Sequence, residues 1–175
     1  MSVEIRSLGP ADAGAFQALR LRGLRECPTA FASSYEEEYG NELAVVAERL
    51  VEGPNHAILG AFDGSTLIGV VGLQRERPTK LAHKAHLWGM YVAPEFRRKG
   101  VGRRLVEQAL KRASAMDGVR QVNLSGNANN PAAIALYEAL GFRSFGVERG
   151  FILVDGVLHD EMHMAAATAV SAGQA

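Results

Sequence analysis

The six residues Arg97-Arg98-Lys99-Gly100-Val101-Gly102 join an apolar, strand-like run, Ala85 to Val92, to an amphipathic helix. Apolar side chains recur along that helix with the period of an α-helix, at Val101, Leu105, Val106, Ala109, Leu110 and Ala113. A helix start carries unpaired backbone N–H groups and a partial positive charge, and glycine lets a ligand approach them closely. Together with three basic side chains, these features predict an anion-binding turn, most simply a phosphate cradle.

A solvated basic turn is the simpler interpretation of the same six residues, because glycine commonly precedes a helix. The turn also lacks the G-x-x-x-x-G-K-[ST] spacing of a P-loop and the G-x-G-x-x-G spacing of a dinucleotide site. Both of those nucleotide-binding classes are therefore disfavoured, and the six residues need support from elsewhere in the chain.

That support comes from a second helix whose two ends are both marked in the sequence. Asn130 is a good N-cap, and Pro131 suits the first helical position. Gly141 suits the left-handed position that follows a helix end. The sequence therefore predicts a short helix from Asn130 to Leu140, which carries Tyr137.

The two segments together carry a family resemblance. R-x-x-G-x-G after a strand, followed by N-x-x-A-I-x-L-Y-x-x-x-G-F, resembles the GCN5-related N-acetyltransferase (GNAT) superfamily in order, spacing and apolar pattern. The resemblance extends from about Val3 to Met164 and is specific between His86 and Phe142. It implies an α/β (α+β) fold, in which a central mixed, mostly antiparallel sheet has splayed parallel central strands and helices on both faces. It also implies acetyl-CoA as the ligand, with the pantetheine arm between the splayed strands and no metal.

Composition sets the remaining limits. With 175 residues and 47% hydrophobic content, the chain is predicted to form one domain over residues 1–164, followed by a disordered tail, 165–175. Its 19 Lys and Arg residues balance 19 Asp and Glu residues, so no global charge favours nucleic acid or an anionic membrane.

Targeting signals and cysteine usage indicate a location. Cys27 is the lone cysteine, which excludes an internal disulfide and a cysteine metal cluster. Residues 1–10 lack the apolar core of a signal peptide, and no apolar run approaches the ~20 residues of a membrane span. A reducing cytoplasm is the expected location.

The rest of the chain reads as a mixed order of strands and helices. A strand at Val3 to Ser7 precedes a helix from about Ala11 to Glu26, and a second helix reaches Leu50. Alternating apolar residues predict further strands at residues 56–62, 66–75, 85–92, 121–125, 149–154 and 157–164. Asp63-Gly64 and Asp155-Gly156 are the expected hairpin turns.

The strand 85–92, the helix 101–116 and the strand 121–125 form a crossover between parallel strands, and ligands of such units bind outside the carboxyl ends of the strands. The resemblance implies that the coenzyme contacts Met90, Tyr91, Val92, Arg97, Arg98, Lys99, Gly100, Val101, Gly102, Arg103, Asn130, Ala133 and Tyr137. Met90 and Val92 would offer backbone groups, and the amide of Met90 would polarise the thioester carbonyl.

Tyr137 has two interpretations. It fits an aromatic residue at the edge of the core, with a hydroxyl that stays wet. The resemblance instead places it near the thioester sulfur, as the acid that protonates the leaving thiolate. The ordinary tyrosine pKa, near ~10, keeps the phenol protonated at neutral pH, as that role requires.

The general base is less clearly marked. An aliphatic amine is mostly protonated at pH 7, so a proton must be removed before it attacks a thioester. His86 is the first candidate, because histone-modifying relatives carry a glutamate at the corresponding place; this chain departs from that glutamate. A lone histidine on a strand is more often structural. The reserve candidates are Glu76, His83 and the Glu36-Glu37-Glu38 run, which is more simply a solvated face.

The resemblance implies an enzyme that acetylates a primary amine by direct attack in a ternary complex, with a small amine or amino acid as the favoured acceptor. A protein N-terminal or lysine acetyltransferase is the alternative within this class, and a non-catalytic acetyl-CoA-binding regulatory module is the alternative outside it. Cys27 lies outside the motifs and does not resemble a nucleophile. Residues 28–40, 75–84 and the last hairpin are expected to choose the acceptor, and the last strands also offer edges for a homodimer.

Overall fold

Residues 2–169 are described by a computed structural model, in which seven strands form one sheet with helices against both faces. The helices and strands follow one another as β1 (Val3–Ser7), α1 (Ala13–Glu26), α2 (Tyr35–Glu38), α3 (Leu43–Arg49), β2 (His56–Asp63), β3 (Thr66–Arg75), β4 (Lys84–Val92), α4 (Val101–Ser114), β5 (Gln121–Asn127), α5 (Pro131–Ala139), β6 (Arg143–Val154) and β7 (Val157–Ala167). This architecture confirms the predicted fold class. No helix among the described residues is long and apolar enough to cross a membrane.

The sheet has the strand order β1-β2-β3-β4-β5-β7-β6, and within residues 2–169 only β4 and β5 run parallel. Their pairing is short, since it comprises Lys84 with Gln121, Ala85 with Val122 and His86 with Asn123. Beyond those pairs β4 runs on to Val92 and β5 to Asn127, but the two strands no longer pair with each other. The opening between residues 87–92 and 124–127 is called the wedge below. It is the predicted splay of the central strands.

A β-bulge interrupts β4 beside the wedge. Val70 pairs with Tyr91 and Gly72 with Trp88, so Val71 alone lies opposite both Gly89 and Met90. Gly89 has a φ of 62°, in the left-handed region that glycine adopts without strain. The extra residue reverses the alternation of side chains along the rest of the strand.

The protein has two hydrophobic cores, one on each face of the sheet. The α4 face contains the apolar side of α4, including the fully buried Leu105 and Val106, together with Phe142. The α1 face contains the core of α1, with Phe16 and Leu19, and that of α3. The apolar positions predicted for α4 are therefore confirmed, with Leu110 only partly buried.

The structure departs from the sequence prediction mainly at the carboxyl end. β6 begins at Arg143, before the predicted residue 149, because its early residues are exposed at the sheet edge and its register is broken by bulges, which hides the alternation. β7 continues to Ala167, so residues 165–167 pair with β5 instead of belonging to the predicted tail. Small residues carry little strand signal of their own. The part of that tail at 170–175 lies outside the described residues.

Candidate active site

The basic turn is a backbone nest at the amino end of α4. Gly100 is the N-cap of α4 with a φ of 79°, and Arg98 also has a positive φ, 60°. Left-handed residues alternating with ordinary ones turn successive N–H groups towards one point, where an anion is bound. A positive φ is uncommon for a residue such as arginine and is found preferentially at ligand sites.

The basic side chains surround this nest at the surface. Arg97 lies beside the mouth of the wedge, where its Nε donates to the carbonyl of Val92 at 2.8 Å and its guanidinium lies 5.5 Å from the ring centroid of Tyr91. Arg103, one turn into α4, pairs with Glu107 at 2.9 Å. Arg98 and Lys99 are exposed as well. The turn therefore offers positive charge as well as N–H donors.

Glycine is favoured at the two positions of the turn for different structural reasons. A Cβ on Gly100 would meet no atom within 4 Å, so only its backbone conformation favours glycine. A Cβ on Gly102 would lie 3.1 Å from the Cε of Met90 and 3.5 Å from the Cδ2 of Leu136. Gly102 therefore permits the close approach of α4, β4 and α5 at the wedge. The sequence alone predicts instead that both glycines let the anion approach the backbone N–H groups.

The strand residues expected to contact the coenzyme point in different directions. Met90 and Val92 pack on the α4 face, and no residue of β5 pairs with them across the wedge. The Tyr91 side chain points away, to the α1 face, where it is buried and its hydroxyl donates to Glu26. Burial and this hydrogen bond raise the pKa of Tyr91. Only the backbone of Tyr91 is left for a ligand in the wedge.

The α5 helix brings Asn130 and Tyr137 to the same region. The Asn130 side chain accepts a hydrogen bond from the amide of Ala133 at 3.2 Å, so the predicted cap is confirmed. The Tyr137 ring packs edge-on against Phe142, with centroids 5.9 Å apart. Burial raises the pKa of Tyr137 to about 12, and no group of residues 2–169 bonds to its hydroxyl. The side chain is partly buried, and a hydroxyl that is protonated and lacks a protein partner is available to donate a proton.

His86 lies at the apex of the wedge, on the α1 face, in the last paired position of β4. Its Nδ1 is 2.9 Å from Oε1 of Glu76, so the structure brings the first and one reserve candidate for the base together. A carboxylate on Nδ1 favours the tautomer that leaves Nε2 as an acceptor. Such a pair is suited to proton removal.

The other reserve candidates have structural roles or lie apart. Glu38 forms a largely buried salt bridge with Arg20 at 2.8 Å, and Glu37 closes a capping box with Ser34 at the start of α2. Glu36 is exposed on α2, and the exposed His83 precedes β4. Glu37 and Glu38 therefore have structural partners around α2, and their carboxylates are not available to bind a ligand.

Trp88 contributes to a cavity on the α1 face. Its indole stacks with His56, and both residues line a cavity of about 670 Å³ together with Gln74 and Glu76. Trp88 also packs against the core of the α1 face. It is therefore both part of the core and part of the cavity wall.

The amino-terminal helix is tied to the anion-binding turn by ion pairs. Arg22 on α1 contacts both carboxylate oxygens of Glu95, at 2.7 and 2.9 Å, and its Nε contacts Glu26 at 2.8 Å. Glu26 in turn accepts the hydroxyl of Tyr91. Arg22 lowers the pKa of Glu95 to about 2, so this carboxylate remains charged at neutral pH.

Glu161 on β7 is a candidate that the sequence did not reveal. It is only 7% exposed, and within residues 2–169 it is the one buried residue among the acidic and basic side chains. Burial raises its pKa. Its neighbours in the sequence, Asp160 and His163, are also polar, so no apolar alternation marks position 161 as buried.

Comparison with known proteins identifies the family. Residues 22–142 match the Acetyltransferase (GNAT) family, and the chain belongs to it. N-alpha-acetyltransferase RimI of Mycobacterium tuberculosis is 35% identical over 109 residues, 62% of this chain and 65% of that protein. [Ribosomal protein bS18]-alanine N-acetyltransferase of Salmonella typhimurium is 40% identical over 68 residues, 39% of this chain and 45% of that protein. The matched part of the chain thus spans less than two thirds of either relative.

A solved structure shows the same fold. The GNAT superfamily phosphinothricin acetyltransferase of Sinorhizobium meliloti, in complex with AcCoA, superposes with a TM-score of 0.82 at 23% identity. The superposition covers 96% of this chain and 89% of that one. Sequence motifs and architecture therefore agree on the family.

Proposed function

We propose that this protein transfers an acetyl group from acetyl-CoA to a primary amine by direct attack in a ternary complex. The observation that carries the proposal is the wedge, which connects an anion-binding turn at one end with a histidine–carboxylate pair at its apex. The thioester supplies an activated acetyl group, and two substrates that meet in one opening need no acyl-enzyme.

The residues present fit coenzyme A. The N–H groups of residues 98–102 and the charges of Arg97 and Arg98 suit the pyrophosphate. The unpaired edges of β4 and β5 suit the amide groups of the pantetheine arm. The Met90 amide, beside the bulge, would donate to the thioester carbonyl as negative charge develops on its oxygen.

Two side chains would move protons in this scheme. His86, oriented by Glu76, accepts a proton from the amine nitrogen, which then attacks the carbonyl carbon. As the carbon–sulfur bond breaks, the Tyr137 hydroxyl protonates the leaving thiolate. The second nitrogen proton is released to solvent, from which the tyrosinate is reprotonated.

For the acceptor we propose a protein N-terminal α-amine. The support is that the relatives above 30% identity named here are α-amine acetyltransferases. A small amine or amino acid, favoured by the sequence alone, has no comparable support. A cytoplasmic location, a homodimer and the absence of nucleic-acid and membrane partners stay predictions.

The test of this function is thiol release from acetyl-CoA in the presence of a panel of amines. The panel contains a peptide whose one amine is its free N-terminus, and a second peptide that is N-acetylated and whose one amine is a lysine side chain. It also contains free amino acids and small alkylamines. We expect turnover with the first peptide. Calorimetric binding of coenzyme A without turnover on any amine would instead identify a non-catalytic acetyl-CoA-binding module.

Gly102→Glu should weaken coenzyme A binding by at least about tenfold, because any side chain at this position enters the space beside Met90 and Leu136. Gly14→Glu is the matched control, since a Cβ on Gly14 meets nothing within 4 Å. Arg97→Ala should have a milder effect than Gly102→Glu. Calorimetry with coenzyme A measures all three, and an unchanged affinity in Gly102→Glu would place the site elsewhere.

Tyr137→Phe should lower kcat by about 10²–10⁴-fold with little change in acetyl-CoA affinity, because it removes the proton donor and keeps the ring. Since burial raises the pKa of Tyr137 to about 12, its ionisation should cause no loss of activity between pH 7 and pH 10 in the wild type. Tyr39→Phe, on an exposed tyrosine, is the control. Wild-type turnover in Tyr137→Phe would make this residue purely structural.

His86→Gln and Glu76→Gln test the base as a pair. If His86 accepts the proton, kcat/KM rises with pH in the wild type, and His86→Gln should abolish that limb and slow turnover. Glu76→Gln should make the same rise of kcat/KM with pH smaller. His86→Glu should keep partial activity. One acceptor of known pKa must be used throughout, with His83→Gln as the control. If both His86 variants keep the wild-type profile and rate, His86 is structural.

A further inference from the structure

The buried carboxylate of Glu161 lies on β7, the strand next to β5, and β5 forms one side of the wedge. Glu161 pairs with Asn127 on β5 and with Glu148 on β6. Asn127 is the last residue of β5, beyond the end of the β4–β5 pairing at Asn123. Glu161 is therefore one strand away from the open edge of β5.

The register shows which face Glu161 occupies. Directly paired residues of antiparallel strands point to the same side of a sheet. Leu124 and Met164, a neighbouring pair, lie in the core of the α4 face. Glu161, together with Ser125 and Asn127, therefore lies on the α1 face, which is also the face of His86 at the apex.

This carboxylate lacks a cationic partner within the protein. In the part of the chain that the structure describes, no basic group lies within ion-pair distance of Glu161. The opposite charge that acts on it is that of His163, which is paired at 3.2 Å with Glu148 on β6. Burial and the negative charge of Glu148 raise the pKa of Glu161, whereas a hydrogen bond with Ser125 and the charge of His163 lower it. Buried carboxylates are ordinarily paired with a cation.

A loop of the amino-terminal half covers this part of the α1 face. The Asn127 side chain donates to the carbonyl of Thr29 at 3.4 Å, and the turn Pro28–Ala30 packs over β5 and β6. Thr29 belongs to the segment 28–40 from which the sequence predicts acceptor choice. The turn that contacts Asn127, the β5 partner of Glu161, thus belongs to a segment predicted to contact the acceptor.

We propose that Glu161 binds the alkylammonium group of the acceptor on the α1 face of the wedge, before the nitrogen is deprotonated. This inference rests on the proposed acetyl transfer and assigns the residue that recognises the protonated amine of the acceptor, in preference to neutral nucleophiles such as alcohols. Ser125 contributes its hydroxyl to the same group. Glu161 holds the substrate, and removal of the proton stays with His86, which the proton reaches through water because His86 pairs four residues further back along β5.

The direct test is a titration of the Glu161 carboxyl by ¹³C NMR in protein saturated with coenzyme A, with Glu161→Gln used to assign the signal. Ethylammonium chloride is the probe, and sodium chloride at equal concentration and 1-propanol are the controls. Ethylammonium should lower the pKa of Glu161, because a nearby cation favours the carboxylate, and neither control should do so. A Glu161 titration that ethylammonium leaves at its sodium chloride value would overturn the proposal.

The kinetic test uses whichever amine gives turnover in the panel. Glu161→Gln keeps the shape of the side chain and should raise KM for that amine by about tenfold or more, with kcat and acetyl-CoA affinity nearly unchanged. Glu4→Gln, which changes an exposed carboxylate on β1 at the opposite edge of the sheet, is the control and should leave KM in place. An unchanged KM in Glu161→Gln contradicts the proposal even if acetylation proceeds.

Failure of the proposed function would be seen separately. Loss of coenzyme A binding or of turnover in the wild type concerns the acetyl transfer itself, whereas the response of Glu161 to ethylammonium concerns only the ammonium site. Coenzyme A binding with no response to ethylammonium therefore rejects this inference alone.

Discussion

The early end of the pairing between β4 and β5 is the constraint on which the site depends. After His86 and Asn123 the two strands part, although both continue as strands held by their outer neighbours β3 and β7. Backbone N–H and C=O groups in the middle of a sheet are then left without strand partners, which a buried backbone does not tolerate without water or a ligand. The bulge at Gly89 adds a further irregularity at the same place. These unpaired backbone groups of β4 and β5 are therefore available to form hydrogen bonds with a ligand in the wedge.

The wedge also separates two kinds of chemistry. Positive charge and N–H donors collect at the amino end of α4, whereas His86, Glu76 and Glu161 lie on the α1 face. An anionic ligand and a cationic one therefore have different approaches to a common opening. In the proposed reaction their reacting groups would meet within it, which is the geometry that a direct transfer requires.

Local features of this site could be predicted from the sequence, and features set by distant pairing could not. The cap at Asn130 and the apolar side of α4 follow from short-range rules, and both were predicted correctly. The Tyr91 side chain lies on the α1 face because of a bulge that no residue type announces, apart from the glycine at position 89. The burial of Glu161 depends on strands on either side of it, so its own surroundings in the sequence carry no signal of it.

The end of α1 links the two approaches to the wedge. Arg22 holds Glu95, just before the anion-binding turn, and Glu26 holds Tyr91 on β4. The chain then passes within two residues into the turn Pro28–Ala30, which covers β5 on the other approach. One helix end is thus shared by both candidate binding regions. Any influence that one ligand exerts on the other along this route must be returned with equal strength.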